Sequence, residues 1–382
     1  MNKLNHLLLC SSLVALAACQ TEQVNTPLLS QEIKAQISVE VPEPPEDPAL
    51  RERFEYPDPV AVVYAAVETA SVPSLDDAED DPAIWVHPTD SSRSLVLGTD
   101  KKTGIAVYDL EGKQLQFVTV GLPNNIDLRQ NLKIGSWQGD LAVASNRQGD
   151  VVTLFQVTEQ GVSELGSFTS MLKEPYGVCL GVVDEAVTVF VTHKTGEVLA
   201  YHIMDIAKEV IDAKQVGLLN FASQLEGCVV DDTEGRLFVG EEETGFWTAA
   251  MTYGLQQLDF AAPESIDFIN GQSGVVADIE GVSRYQSKKA DYLVVSSQGN
   301  DSYAVYDTES KLFMGRFRIA SKGVIDGAQE TDGLDVSAAA LGPQFPKGML
   351  VVQDGYNAPV GTAQNFKYVD WRAVENALNL PR

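Results

Sequence analysis

The chain reads as an all-β protein: a six-bladed β-propeller with four-stranded blades around a central channel. Three observations point there. A polar residue leading into apolar strand recurs at Asp81-Pro82-Ala83, Asn125-Ile126, Tyr176-Gly177-Val178, Glu226-Gly227-Cys228, Glu280-Gly281-Val282 and Asp332-Gly333-Leu334. With Asp81, Asn125, Tyr176, Glu226, Glu280 and Asp332 as anchors, the spacings are 44, 51, 50, 54 and 52 residues, a repeat signature. Each copy is followed by a second apolar run, and no long amphipathic helical pattern precedes 369–378. Blades of short strands satisfy all three observations; a helix-rich α/β fold does not.

Three segments follow in order. Residues 1–18 read as an export signal, with Lys3 as the positive start and an apolar run from Leu7 to Ala18 too short to span a bilayer. The run ends Leu16-Ala17-Ala18-Cys19, which resembles a bacterial lipobox. That resemblance implies cleavage before Cys19 and lipid on it, each buried CH₂ adding about 0.8 kcal/mol of membrane affinity. Gln20 follows the cysteine, which by the same resemblance favours the outer membrane. Residues 19–59 are polar and acidic, with six prolines from Pro42 to Pro59, and read as a lipidated extended tether. Residues 60–382 form the propeller. The strand-like stretch Pro59–Val67 precedes the first repeat, so it is expected to close the ring against the last blade.

In the propeller the second runs are Leu95–Leu97, Leu141–Val143, Val189–Val191, Leu237–Val239, Tyr292–Val295 and Met349–Val352. The formal charge is −27, from 54 acidic and 27 basic residues. Such a surface repels nucleic acid and anionic lipid, and its carboxylates suit hard cations. Cys179 and Cys228 fall inside apolar runs and read as buried free thiols, with a disulfide between neighbouring blades left open.

The chemistry sits just after each second run. There lie Lys101 and Lys102, then Arg147, then His193 and Lys194, then Glu241–Glu243, then Gln298 to Asn300, then Asp354 to Asn357. Equal phase places all six clusters on one face of the disc, with cations from the first three repeats and acids and amides from the last three. The basic half suits phosphate oxygens. The oxygen-only half suits calcium. His87, beside Pro88, reads as structural, and Trp85 and Trp247 as core. A histidine acid phosphatase, a cysteine phosphatase, a Gly-x-Ser-x-Gly hydrolase and a Walker-loop nucleotidase each lack their motif here.

From about Val60 to the C-terminus, eight motifs in order resemble the β-propeller (alkaline) phytases. They are Asp80–Trp85, Lys101 to Tyr108, Asn124 to Arg129, Ala144–Arg147, Glu241-Glu242, Asp278–Gly281, Ser296–Asn300 and Thr331–Gly333. The resemblance implies calcium-dependent hydrolysis of myo-inositol hexakisphosphate at two neighbouring phosphate sites. Carried over motif by motif, Lys101, Arg147, Tyr176 and Lys194 would contact phosphate. Asp80, Glu226, Glu242, Asp278, Glu280, Gln298 and Asp332 would hold catalytic calcium, with Glu226 and Glu242 among the catalytic residues. Asp81, the Ile126 carbonyl, Asp326 and Asn357 would hold structural calcium.

Two positions depart from the family pattern. Thr195 after Lys194 and Tyr356 before Asn357 stand where acids are expected. Phytate and this protein are both strongly negative, so calcium is expected to bridge them. In-line attack by calcium-activated water on a phosphoryl held by Lys101 and Arg147 is then expected, without a covalent phospho-enzyme. The competing readings are a calcium-bound lactonase or esterase propeller, which needs no basic half-ring, and a non-catalytic surface lipoprotein that binds phosphate or a partner, whose face would tolerate loss of one carboxylate. The expected protein is a monomer, anchored at Cys19 and free of nucleic acid.

Overall fold

The computed structural model describes residues 60–381, apart from 208–209, 256 and 359–360. The expected leader, Cys19 and tether lie outside the described residues. No helix among the described residues is long and apolar enough to cross a membrane.

Six antiparallel sheets form the blades. Their innermost strands are Glu79–Trp85, Pro123–Ile134, Val178–Val183, Leu225–Asp231, Val282–Gln286 and Leu334–Ser337. Each touches the next, and the sixth touches the first, so they ring a central channel. The second strands are Leu95–Asp100, Trp137–Asn146, Ala186–Thr192, Arg236–Glu241, Asp291–Ser297 and Met349–Asp354. All six second apolar runs fall inside them.

Burial explains why these strands carry continuous apolar runs rather than alternation. Every residue of Glu79–Trp85 and of Leu95–Asp100 is buried, because each blade is covered on both faces by its neighbours. The fourth strand of blade one, Gln114–Thr119, is half-exposed and polar in proportion. The buried apolar residues sort into six clusters, one for each junction between neighbouring blades. Each fully buried Val, Leu or Phe in them contributes about 1.5–3 kcal/mol.

The inner strands pack closely at their polar ends. A Cβ on Gly227 would lie 1.9 Å from the Glu280 carbonyl oxygen, and one on Gly333 would lie 2.2 Å from Asp81 Oδ1. Glycine at these positions therefore lets adjacent strands approach near the axis. The same convergence corrects the reading of the cysteines as free thiols. Cys179 and Cys228 form a disulfide between the inner strands of blades three and four, with Cα atoms 5.7 Å apart. That spacing is within disulfide range.

The N-terminal strand region divides its pairing. Ala61–Val63 adds to blade five, parallel to Phe313–Ile319. Val67–Glu68 pairs with Asn365–Asp370 and supplies the fourth strand of blade six. Closure against the last blade is thus shared with the blade before it. The C-terminal helix, Trp371–Ala377, begins at Asp370, whose side chain accepts from the Arg372 N–H. Its Trp371 stacks on Tyr285 of blade five, ring centroids 4.2 Å apart.

Candidate functional site

Strand register places the functional side chains in two stacked rings. Pro82, Ile126, Val178, Cys228, Val282 and Leu334 each pair with the equivalent residue of their second strand: Gly98, Ala144, Val191, Val239, Val295 and Val352. Two residues earlier in each blade stand Asp80, Asn124, Tyr176, Glu226, Glu280 and Asp332. These form the lower ring. The anchors Asp81 and Asn125 are therefore one residue late: they occupy the position that carries glycine in blades three to six. The pairing register shifts between Glu79 and Pro82, between Pro123 and Ile126 and between Leu225 and Cys228, so the polar residues sit in bulges. A bulge re-aims side chains out of the ladder. The upper ring follows the second strands: Lys101, Arg147, Lys194, Glu242, Gln298 and Gly355.

Hydroxyls between the rings fix the backbone. Thr192 Oγ1 donates to the Glu226 carbonyl at 2.8 Å, and Ser145 Oγ donates to the Tyr176 carbonyl. Ser296 Oγ accepts from the Gly281 N–H at 2.7 Å and donates to the Asp332 carbonyl at 3.3 Å. Each links its own blade to the next.

The acidic centre is dense. Glu226, Glu242 and Glu280 each offer a carboxylate oxygen within 4.8 Å of the others, and all three are buried. Burial, then the Glu226 charge, pushes Glu242 up to about 8. Burial, reinforced by Glu226, holds Glu280 well above the usual carboxylate range. Asp80 is raised by burial, against the pull of Lys101, and Asp332 is pushed up to about 6 on the same grounds. Asp80 Oδ1, Glu242 Oε1 and Glu280 Oε2 are buried with no hydrogen-bond donor among the described residues. Buried carboxylate oxygens without donors, crowded against other carboxylates, are a donor set that fits hard cations. Gln298 joins them, its Nε2 donating to Asp332 Oδ1 at 2.6 Å. Asp278 is half-buried and close enough to Glu242 to raise it.

The cations border this centre. Lys101 Nζ lies 2.8 Å from Asp332, 2.8 Å from Asp77 and 3.6 Å from Asp80. Burial alone would lower its pKa, but these carboxylates raise it well above the usual range. The expected division of the face into a basic and an acidic half is therefore blurred at blade one, where Lys101 stands among acids. Arg147 Nη2 donates to the Lys101 carbonyl at 3.1 Å, and its Nε is buried without an acceptor among the described residues. Lys194 Nζ sits 4.1 Å above the Tyr176 ring, a cation–π contact. Thr195 turns away to Glu197, its hydroxyl 2.5 Å from Oε2. A cleft of about 280 Å³ opens at this face, and Lys101, Tyr176, Glu280, Gln298, Asp332 and Tyr356 are among the residues that line it.

The remaining expected residues lie elsewhere. Asp81 turns to the axis below the rings, where its Oδ2 accepts from the Ile126 N–H at 3.0 Å. Asp326 and Asn357 gather on the fully buried Lys367 ammonium, with Asp354 at 3.0 Å, Glu68 at 3.1 Å and Asn357 at 3.4 Å. Of the Glu241–Glu243 run, Glu241 turns inward to accept from the Ala222 and Ser223 N–H groups, Glu242 enters the site and Glu243 is exposed. His87 is structural, its Nδ1 accepting from the Thr89 and Asp90 N–H groups. Trp85 is buried and donates to Asp140 at 2.7 Å.

Two residues beside these groups are not signalled by the motifs, Asp77 and Lys367, and a third, Asn124, lies in the Asn124–Arg129 motif without being given a role by it. Asn124 falls one residue before the supposed anchor Asn125, so the shifted phase assigns its ring position to the wrong asparagine. Asp77 belongs to a loop with no repeat equivalent. Lys367 lies 299 residues from its partner Glu68, a separation that periodicity does not address.

Comparison with known proteins identifies the family. Residues 55–380 match the Phytase family. The chain is 38% identical over 330 residues to a 3-phytase of Bacillus subtilis (strain 168), covering 83% of this chain and 85% of that protein. Among solved structures, a functionally unknown protein from Desulfotomaculum acetoxidans DSM 771 aligns at a TM-score of 0.44 and 12% identity, over 61% of this chain and 70% of that one. A chain of a mitotic checkpoint complex aligns at 0.43 and 10% identity, over 79% and 84%. Likenesses that loose say nothing of function.

Proposed function

The chain belongs to the phytase family, and from that premise we propose how its own residues release phosphate from phytate. It is a phosphomonoester hydrolase of the 3-phytase type. One observation carries the mechanism: Glu226, Glu242 and Glu280 converge within 4.8 Å, buried, beside a lysine held in its charged form.

Asp80, Glu226, Glu242, Asp278, Glu280, Gln298 and Asp332 are the residues that would hold calcium. Bound calcium would neutralise the carboxylates, bridge the protein to an equally acidic substrate and lower the pKa of water. Lys101 and Arg147 act together on the transferring phosphoryl. The Arg147 guanidinium is steadied on the Lys101 carbonyl, so the fork and the ammonium keep a fixed relation. That preorganisation favours charge spread over the equatorial oxygens more than it favours the ground state. Lys194, steadied over Tyr176, is placed for a neighbouring phosphate of the same substrate. With Thr195 turned to Glu197, the residue after Lys194 brings no carboxylate to that site, and the Lys194 charge acts instead on Glu242.

Structural calcium is proposed at Asp81 with the Ile126 carbonyl, and at Asp326 with Asn357. At the second, Lys367 already neutralises the oxygens, and calcium there would share them. Export and lipid attachment at Cys19 are proposed from the leader; the Cys179–Cys228 disulfide supports an oxidising compartment.

The test is phosphate release from phytate by purified protein, with and without added calcium. Release that requires calcium supports the reading. Release unchanged by calcium removal, or none in either condition, overturns it.

A further inference from the structure

We propose that Asn124 is a positioning residue for Glu226: a neutral amide that reaches from blade two to blade four and fixes which carboxylate oxygen Glu226 presents to the acidic centre. The lower ring carries acids in blades one, four, five and six and an amide only in blade two. Asn124 is 1% exposed, so its polar atoms must find partners inside the protein. Its Nδ2 donates to Glu226 Oε1 at 2.7 Å and to Asn125 Oδ1 at 2.8 Å. Both amide hydrogens are thereby used. Turning the amide over would set its oxygen against a carboxylate and a carbonyl at once, so its orientation follows from its neighbours.

The contact crosses an intervening blade. Blade three stands between the two residues, and its ring residue Tyr176 is engaged by Lys194. The far end is secured too. The Asn125 N–H donates to Ser145 Oγ at 3.1 Å, and Ser145 donates to the Tyr176 carbonyl. A carboxylate rotates easily about its last torsion, which has broad wells. Occupying Oε1 with a fixed donor restricts that rotation. The same donor offsets negative charge where three carboxylates already crowd together, which a fourth acid would worsen. Partners of this kind behind a cation-binding side chain typically govern affinity or turnover by about 10–100-fold.

This inference rests on the phytase reading for its kinetic arm alone. The experiment compares Asn124→Leu, which is near-isosteric and neutral and removes the donor, with Asn124→Ala, in the full chain. Terbium, a luminescent stand-in for calcium, is titrated and its emission read through sensitisation by Tyr176, with Tyr176→Phe identifying that signal. Phytate kcat and KM are measured in parallel, alone and combined with Glu226→Gln. Both variants are expected to weaken terbium binding about tenfold and to lower kcat about 10–100-fold, with KM within about twofold. Combined with Glu226→Gln, Asn124→Leu is expected to cost less than about twofold more, because the two residues act as one unit. Wild-type terbium affinity in both variants overturns the proposal, and so does a full additional loss in the Glu226→Gln background. If Asn124→Ala fails to fold, the near-isosteric Asn124→Leu still decides. Absence of phytate turnover in the unmodified protein would instead count against the phytase reading and leave the terbium result standing.

Discussion

The Lys101 ammonium lies 2.8 Å from Asp332, across the junction where blade six meets blade one. The pair joins the first and last repeats at the point where substrate phosphate is expected. Lys101→Met keeps most of the side-chain volume and removes the charge. It should lower phytate kcat/KM by about 100-fold or more, in the range of lost charge stabilisation at such centres. Steady-state kinetics decide it, and an unchanged kcat/KM removes Lys101 from the phosphate site.

The acidic centre gives the cation-free protein an inverted pH response. Burial and mutual repulsion push Glu242 up to about 8 and Asp332 up to about 6. The folded state therefore keeps protons that an unfolded chain releases above roughly pH 4.5. Where the native state binds more protons, stability falls as pH rises, here through about pH 8. Calcium requires deprotonated ligands, so its binding strengthens over the same interval. In EGTA the Tm should fall from pH 6 to pH 9, whereas excess calcium should flatten or reverse that slope. A Tm in EGTA that climbs with pH contradicts the assignment.

Gly227 sets the closeness of blades four and five. A Cβ there would lie 1.9 Å from the Glu280 carbonyl oxygen, a backbone atom that cannot step aside. Gly227→Ala should cost about 3 kcal/mol and lower the Tm by roughly 5 °C or more. Because Glu226 and Glu280 flank the clash, turnover should fall with it. Thermal unfolding at wild-type temperature would show that the strands separate freely.

The Cys179–Cys228 disulfide spans 49 residues of sequence. Chain-entropy arguments assign such a link about 4 kcal/mol. Replacing both cysteines by alanine should lower the Tm, and denatured, unreduced protein should show no free thiol at either position. Free thiol mapped to Cys179 and Cys228 in the unreduced protein would refute the bond, whatever the state of Cys10 and Cys19.

Cys19→Ser removes the proposed site of lipid attachment. The variant should move from the membrane to the soluble fraction while its specific activity stays unchanged. Fractionation of cells carrying each form tests this, and continued membrane association ends the lipid-anchor reading.

Much of this architecture was legible in the residues. The second strands announce themselves because blades cover them on both faces, so Val189–Val191 or Met349–Val352 must be apolar throughout. In blades three to six the glycine after each ring residue marks the phase. Blades one and two lack that glycine and carry Asp80-Asp81 and Asn124-Asn125 in a bulge, and there the phase slipped by one. The disulfide was open because Cys179 and Cys228 differ by one residue in phase, and only the narrowing of the ring brings them into reach. Lys367 was hidden for a different reason: as a residue of a strand its partners come from sheet neighbours and loops, which no local pattern records. Among the acids of the centre, Glu226, Glu280 and Asp332 follow from the repeat, Glu242 from its place after a second run, and Asp80 and Asp278 from motif resemblance. The crowding of Asp80 and Asp332 against Lys101 follows instead from ring closure.

That closure has a mechanical corollary. Ala61–Val63 is stitched into blade five and Val67–Glu68 into blade six, so the molecule is a bracelet whose clasp is its own first dozen described residues. A protease cut between the clasp and blade one would leave the bracelet shut only by pairing, whereas loss of the clasp would bare the edges of two blades together. The chain must also be synthesised almost to its end before the clasp has anything to fasten to, so the ring can shut only once blade six exists.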